Sequence, residues 1–148
     1  MKTLHSYLLV AVLGFAGVLG LVAAPQAHAT YLEAASYCAS ANEDDAIADY
    51  YATYAQIYNG TAYEDTFEYY AYLYSGYAVD EALSSYYAAP SGSYTEYYAL
   101  YSYYYAYYRN LYEYYDWIYD GYEATAGYYG YLSQVYRGLA SLYAAYQY

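Results

Sequence analysis

The chain has 148 residues, enough for one small domain behind a leader, and 36 of them are tyrosine. Fifteen acidic residues outweigh three lysines and arginines, and the formal charge is −12 at pH 7. Nucleic acids and anionic membrane surfaces are bound through basic residues, so this composition argues against both as partners.

The first 29 residues are typical of a secretory signal peptide. Lys2 and His5 precede an apolar run over residues 7–24, and residues 27–29 (AHA) offer a cleavage site shortly after Pro25. An uncleaved membrane anchor is the alternative, because a run of 18 apolar residues just spans a bilayer. We predict cleavage, no membrane contact afterwards, and a secreted, cell-surface or periplasmic location.

Cleavage limits the chemistry that remains. Residues 30–148 contain no histidine or lysine, and two arginines against 15 acidic residues give a formal charge of −13. Most catalytic triads, general bases and zinc sites use histidine, so we predict no enzyme, no cofactor and no metal site. The single cysteine, Cys38, excludes a disulfide framework and predicts either an intermolecular disulfide or a buried thiol.

The mature chain is predicted to open with an alanine-rich lead-in, residues 30–42, which is either a short helix or flexible, followed by a single helical domain over residues 43–148. Asn42 is a suitable N-cap, and acidic residues follow it where the helix dipole favours them. This first helix is expected to end at Asn59-Gly60. Its predicted buried face is Ile47, Tyr51, Tyr54 and Tyr58.

Two further helices are expected before the long C-terminal element. Thr61 and Glu64 have capping-box spacing, and the helix that they open is expected to end near Gly76. Its predicted apolar stripe is Tyr63, Phe67, Tyr70, Tyr74 and Tyr77. A short third helix over residues 80–89 stops at the Pro90-Ser91-Gly92 loop, and Ser93 with Glu96 then forms a second capping box.

A degenerate repeat relates two parts of the chain, about residues 49–77 and 96–122. Residues 67–77 (FEYYAYLYSGY) match residues 112–122 (YEYYDWIYDGY), and residues 49–54 match residues 96–101. The match predicts two copies of a helical unit, with coincidence in a tyrosine-rich chain as the alternative. The spacing fits no repeat family that we can identify.

The C-terminal element carries a seven-residue register with a tyrosine at every first position. These eight residues, here called the tyrosine seam, are Tyr94, Tyr101, Tyr108, Tyr115, Tyr122, Tyr129, Tyr136 and Tyr143. The second seam position is apolar or aromatic throughout, except at Thr125. Since polar residues occupy the opposite positions, the pattern predicts a helix that packs through its tyrosines.

Residues 94–146 form either one long coiled-coil-like helix or a hairpin. No proline interrupts them, but four glycines weaken a continuous helix. The repeat also aligns Gly121 with Gly76. We therefore expect a bend between Asp120 and Gly130 and an all-α, heptad-patterned bundle of four or five helices, with a single long rod as the alternative.

The acidic residues of this element are explained most simply as one polar face of a helix. Glu113, Asp116, Asp120 and Glu123 follow one another at helical spacing, and Arg109 lies four residues before Glu113. This spacing predicts a solvated face with one ion pair. Similarly, Asn59-Gly60-Thr61 is a formal glycosylation sequon that is better explained as the end of one helix and the start of the next.

The functional expectation rests on the number of tyrosines. One small domain cannot hide so many rings, and broad aromatic surface is typical of an interaction face. We expect an exported, non-enzymatic structural protein that self-assembles through tyrosine-faced helices. The alternatives are a redox-active tyrosine array (cross-linking, radical transfer or metal reduction) and an aromatic module that binds an extracellular polymer.

Overall fold

The computed structural model describes residues 30–147, which form four helices and no strand. The helices are α1 (Tyr31–Ile57), α2 (Glu64–Ala88), α3 (Tyr94–Tyr119) and α4 (Glu123–Tyr146). Each helix packs against the next, α4 closes against α1, and the diagonal pair α1 and α3 hardly meets. The result is an up-down-up-down bundle, which confirms the all-α prediction. The predicted signal peptide, residues 1–29, lies outside the described residues.

The predicted start of the first helix is wrong. α1 begins directly after Thr30, whose hydroxyl accepts a hydrogen bond from the Glu33 backbone N–H at 3.1 Å. Thr30, and not Asn42, therefore caps the first helix, with Glu33 at capping-box spacing. Residues 31–42, predicted as a lead-in, form the first half of α1, and Asn42 lies inside the helix rather than at its cap.

α2 is continuous where two helices were predicted. It starts at Glu64 rather than directly after Thr61, and it runs through Gly76 to Ala88. A Cβ added at Gly76 would lie 3.4 Å from the Asn110 side-chain nitrogen, and Asn110 donates to the Tyr72 carbonyl oxygen at 2.7 Å. Gly76 therefore marks a close contact between α2 and α3, and the helix does not end there.

The remaining turns agree with the sequence. The Ser93 hydroxyl caps α3 by accepting from the Glu96 N–H at 3.0 Å, as predicted. The hairpin is also confirmed, with its bend at Asp120 and Gly121, both of which have positive φ. The two halves of the sequence repeat occupy different settings, since residues 67–77 lie within α2 whereas residues 112–122 run into this bend.

The interior consists mainly of small and charged side chains at alternating spacings of three and four residues. On α1 the buried residues are Ala34, Cys38, Ala41, Asp45, Ala48 and Ala55; on α3 they are Thr95, Ala99, Ser102, Ala106, Arg109, Glu113 and Asp116; on α4 they are Ala126, Gly130, Ser133, Arg137, Ala140 and Ala144. α2 adds mainly Ala71, Ser75, Ala78, Val79, Ala82, Leu83 and Ser85. Small residues at these spacings let helix backbones approach closely, an effect best known from helix pairs in membranes.

The predicted buried faces of the first two helices are accordingly wrong. Tyr51 and Tyr54 are half-buried, and Tyr58, Tyr63 and Tyr70 are exposed. Tyrosine has an apolar ring and a polar end, so it packs over the groove beside a close helix contact and keeps its hydroxyl in water. None of the described helices is long and apolar enough to cross a membrane.

Candidate functional site: a tyrosine row beside a buried charge network

The tyrosine seam lies along the junction of α3 and α4, and the structure brings all eight of its members together. Because the two helices are antiparallel, the first tyrosine of α3 meets the last of α4, and so on along the junction. The ring centroids are 5.1 Å apart for Tyr94–Tyr143, 5.3 Å for Tyr101–Tyr136, 5.3 Å for Tyr108–Tyr129 and 5.7 Å for Tyr115–Tyr122. These are ordinary separations for interacting aromatic pairs.

Three more α3 tyrosines fill the spaces between these pairs. Tyr98 lies 5.2 Å from Tyr143 and 6.3 Å from Tyr136; Tyr105 lies 5.3 Å from Tyr136 and 6.3 Å from Tyr129; Tyr112 lies 5.4 Å from Tyr129 and 6.0 Å from Tyr122. The seam and these three residues together are here called the ring row. Its members follow one another without a break along both helices.

The ring row lies at the surface of the bundle: the seam tyrosines of α3 and α4 do pack against one another, but they are not its buried core. Tyr94, Tyr108 and Tyr122 are exposed, the other seam tyrosines are half-buried, and no tyrosine among residues 30–147 is buried. The register is therefore real, but it describes rings that pack side by side over the α3–α4 groove. The heptad core packing predicted for the seam is not seen.

Trp117 connects the ring row with the aromatic residues of the first two helices. Its ring lies 6.2 Å from Tyr114, which in turn lies 5.9 Å from Tyr115 of the ring row. On the other side, Trp117 lies 5.2 Å from Tyr69 of α2. Ring contacts continue from Tyr69 through Tyr70 to Tyr51 on α1, with centroid distances of 5.8 Å and 5.0 Å.

Beneath the rings, a network of buried charges joins α1, α3 and α4. Asp45 is fully buried, and its two oxygens accept from two different arginines: Arg109 Nη1 at 3.1 Å and Arg137 Nη1 at 2.6 Å. Arg137 also donates to Asn42 at 3.0 Å and to Ser133 at 2.9 Å. Two guanidinium groups that share one carboxylate tie three helices together, and such charge-assisted bonds are the stronger kind.

Arg109 has two further carboxylate partners. Its Nη2 donates to Asp49 at 2.7 Å and to Glu113 at 3.4 Å. The ion pair between Arg109 and Glu113 is thus confirmed, but both residues are buried, and the prediction that they lie on a solvated face is wrong. Gly130 makes room for this arginine, because an added Cβ would lie 3.0 Å from Arg109 Nη1 and 3.1 Å from its Cδ.

Two buried acids have strongly perturbed ionisation. Burial, together with the nearby carboxylates of Asp116 and Asp120, raises the pKa of Glu68 to about 8. Burial also raises the pKa of Glu113 to about 7, against the opposing effect of Arg109. Both pKa values lie far above the usual range for glutamate, so these two carboxyls titrate near neutral pH.

A polar cavity of about 220 Å³ opens next to the charge network. Asp49, Glu113, Glu123 and Gln56 lie on its wall, and Gly127 of α4 borders it. Its acids are not arranged as a metal site: within residues 30–147, no group of three or more His, Cys, Asp or Glu side chains is placed to hold a metal ion.

Cys38 is buried in the bundle with a free thiol, the environment expected of the second alternative. Its sulfur lies 3.1 Å from the Ser85 hydroxyl, which also donates to the Ala34 carbonyl oxygen at 2.9 Å. Ala99 and Ala140 pack against the thiol. A disulfide with a second chain would require α1 to leave the bundle.

Comparisons with protein-family models, with characterised proteins and with solved structures give no match to this chain.

Proposed function

We propose that the mature chain is an exported structural protein that assembles with copies of itself through its aromatic outer surface. The observation that carries this proposal is the placement of the tyrosines: among residues 30–147, sixteen of them are exposed, and they occur on all four helices. Monomeric proteins rarely expose contiguous aromatic surface on this scale. The charges of the two arginines are buried in the bundle, so the described surface carries acidic residues and aromatic rings without basic side chains.

The outer face of α4 is best suited to self-association. Tyr128, Tyr131, Val135 and Leu142, here called the α4 outer stripe, are exposed and recur on one side of the helix. Apart from Glu123 at its start and the buried Arg137, α4 has no charged residue. In a strongly acidic protein this is the helix on which a second copy meets least like-charge repulsion.

Tyrosine also suits contacts between identical surfaces. Its hydroxyl both donates and accepts, and its ring packs against another ring, so a tyrosine face is complementary to itself. A second exposed series, Tyr63 at the start of α2 and Tyr70 and Tyr77 within it, lies on the opposite side of the bundle, because α2 and α4 are diagonal in an up-down-up-down arrangement. Two opposite faces are what an open chain of molecules requires.

The test is the mass of residues 30–148 by size-exclusion chromatography with light scattering. We expect a mass above that of the monomer, which increases with protein concentration and with salt, because salt screens the acidic surfaces. The triple variant Y131S/V135S/L142S removes three members of the α4 outer stripe and should give a smaller species. In the control L32S/I57S, which removes two exposed apolar residues of α1, the assembly should persist.

A monomer at every concentration and salt level would refute the proposal. It would instead favour the aromatic surface as a binding face for an extracellular polymer. Equal loss of assembly in the control would keep self-association but reject the α4 outer stripe as its site.

A further inference from the structure

The ring row provides a continuous series of oxidisable side chains over the length of α3 and α4. At 1.5 Å per residue, Tyr94 and Tyr115 are about 32 Å apart along α3. Over this span each ring has a neighbour whose centroid is at most 6.3 Å away. Several short electron-transfer steps between rings in contact are much faster than one long step over the same total distance. The geometry is therefore that of a multistep path.

The α4 tyrosines are the connecting members of this path. Tyr136 lies within 6.3 Å of Tyr98, Tyr101 and Tyr105, and Tyr129 lies within the same distance of Tyr105, Tyr108 and Tyr112. Two α3 rings that do not touch each other, such as Tyr105 and Tyr112, are thereby joined through a ring of the other helix. The seven-residue spacing of the seam on both helices produces this alternation.

Proton release is the second requirement for tyrosine oxidation. A phenol loses its proton when it loses an electron, so a fully buried tyrosine would need an internal base. None of the ring-row tyrosines is buried, and water can take the proton at each position. The surface placement that makes the row unsuitable as a core makes it suitable for proton-coupled oxidation.

We propose that the ring row, joined to Trp117 through Tyr114, conducts one-electron oxidising equivalents along the bundle. The oxidant is of the peroxidase type, a high-valent metal centre that accepts one electron. In each step a phenol passes one electron to the neighbouring radical and one proton to water. The neighbouring radical takes up a proton and becomes an intact phenol again. The net reaction is the oxidation of one distant tyrosine to its phenoxyl radical and the one-electron reduction of the oxidant.

Because the chain has a single tryptophan, one electron can be removed at one known residue, which leaves an electron hole there. Light at the red edge of tryptophan absorption excites Trp117 without exciting tyrosine, and a cobalt(III) ammine complex removes the electron and decomposes to Co²⁺. The Trp117 radical then oxidises a nearby phenol. A nitroso spin trap that adds covalently to tyrosyl radicals records their positions, and peptide mass spectrometry identifies them. The protein is kept dilute, and light scattering confirms that the species is monomeric.

In the parent protein we expect trap adducts at the far end of the ring row, on Tyr94 and Tyr143. The variant Y129F/Y136F keeps both aromatic rings but removes two oxidisable phenols, and the far-end adducts should be lost. The control Y128F/Y131F removes two phenols of α4 that lie outside the ring row and should leave the adducts unchanged. Far-UV circular dichroism shows whether each variant is folded; if the double variant is not, Y129F alone also interrupts the row between Tyr105 and Tyr112.

Two results would overturn the proposal. Far-end adducts of equal yield in the parent and in Y129F/Y136F would mean that the hole travels by another route. Adducts confined to Tyr114 and Tyr115 in the parent would mean that it does not travel along the row. Neither result depends on self-assembly, because the measurement is made on the monomer.

Discussion

Substitution of Asp45 by asparagine should strongly destabilise the bundle. The two carboxylate oxygens of Asp45 accept from Arg109 at 3.1 Å and from Arg137 at 2.6 Å, and all three side chains are buried. An asparagine keeps one acceptor oxygen but places an NH₂ group against the other guanidinium, so a buried donor faces a buried donor. Removing one partner of a buried ion pair typically reduces the free energy of unfolding by about 3–5 kcal/mol. We expect a loss in this range.

Asp49 provides a matched control for this substitution. It accepts from the same arginine at 2.7 Å, a similar distance, but its side chain is 55% exposed. Because water can replace a partly exposed partner, Asp49→Asn should reduce the free energy of unfolding by about 1 kcal/mol or less. The assay is urea unfolding of both variants and the parent, followed by far-UV circular dichroism. Losses below about 1 kcal/mol for both variants would refute the buried network as a major stabilising element.

Three other predictions concern stability. Glu68 and Glu113 bind protons more tightly in the folded state than in the unfolded state. The free energy of unfolding should therefore fall as the pH rises from about 5 to 8, by up to about 1.4 kcal/mol per pH unit for each group. Thermal melts across this pH range measure the fall; Glu68→Gln should make the fall smaller, and a rise in stability with pH would contradict the assignment. Gly130→Ala should destabilise the bundle because the added Cβ meets Arg109, whereas Gly127→Ala, with open space around it, should stabilise α4 by up to about 1 kcal/mol; equal effects in urea unfolding would contradict this account of Gly130. Asp120 has φ 58° and ψ 160°, a conformation that favours glycine, so Asp120→Gly should raise the free energy of unfolding by about 1 kcal/mol, and a lower melting temperature would count against strain at this position.

The helical periodicity of the chain could be predicted from the sequence, but not which positions of the repeat face the interior. A tyrosine ring buries much more area than an alanine or serine side chain, so the seam beginning at Tyr94 was predicted to be the packed face. Which residues lie between the helices is decided by how closely two helix backbones can approach. Residues such as Ala99 and Ala106 allow close contact, and a tyrosine at the same place would hold the helices apart and bury a hydroxyl.

The buried charge network also left a signal in the sequence, although it was not recognised. Arg109 and Arg137, the only arginines of the chain, are separated by 28 residues, four complete heptads, and therefore share one helical register. Asp45 likewise falls in the series of small residues on α1. Charged residues at one position of a heptad are usually solvated, and only the long-range contact between α1 and the other two helices distinguishes this case.

The turns were predicted only in part, since the helix starts expected after Asn42 and Thr61 are displaced. Ser93 and the bend at Asp120 were predicted correctly because capping and left-handed geometry depend on a few neighbouring residues. Gly76 was misjudged because its role depends on Asn110, which is distant in the sequence. Local features are thus readable from one chain, whereas a residue whose role comes from packing is not.

The most direct test of the arrangement is the chemical reactivity of arginine and tyrosine in the folded protein. An arginine-specific dicarbonyl reagent and a tyrosine-nitrating reagent would be applied to residues 30–148, with and without denaturant, and the modified peptides identified by mass spectrometry. Arg109 and Arg137 should be protected until the protein unfolds, whereas exposed tyrosines such as Tyr131 and Tyr146 should react at once. Reactive arginines together with a protected tyrosine seam would contradict the account, because they would mean that the tyrosines form the core after all.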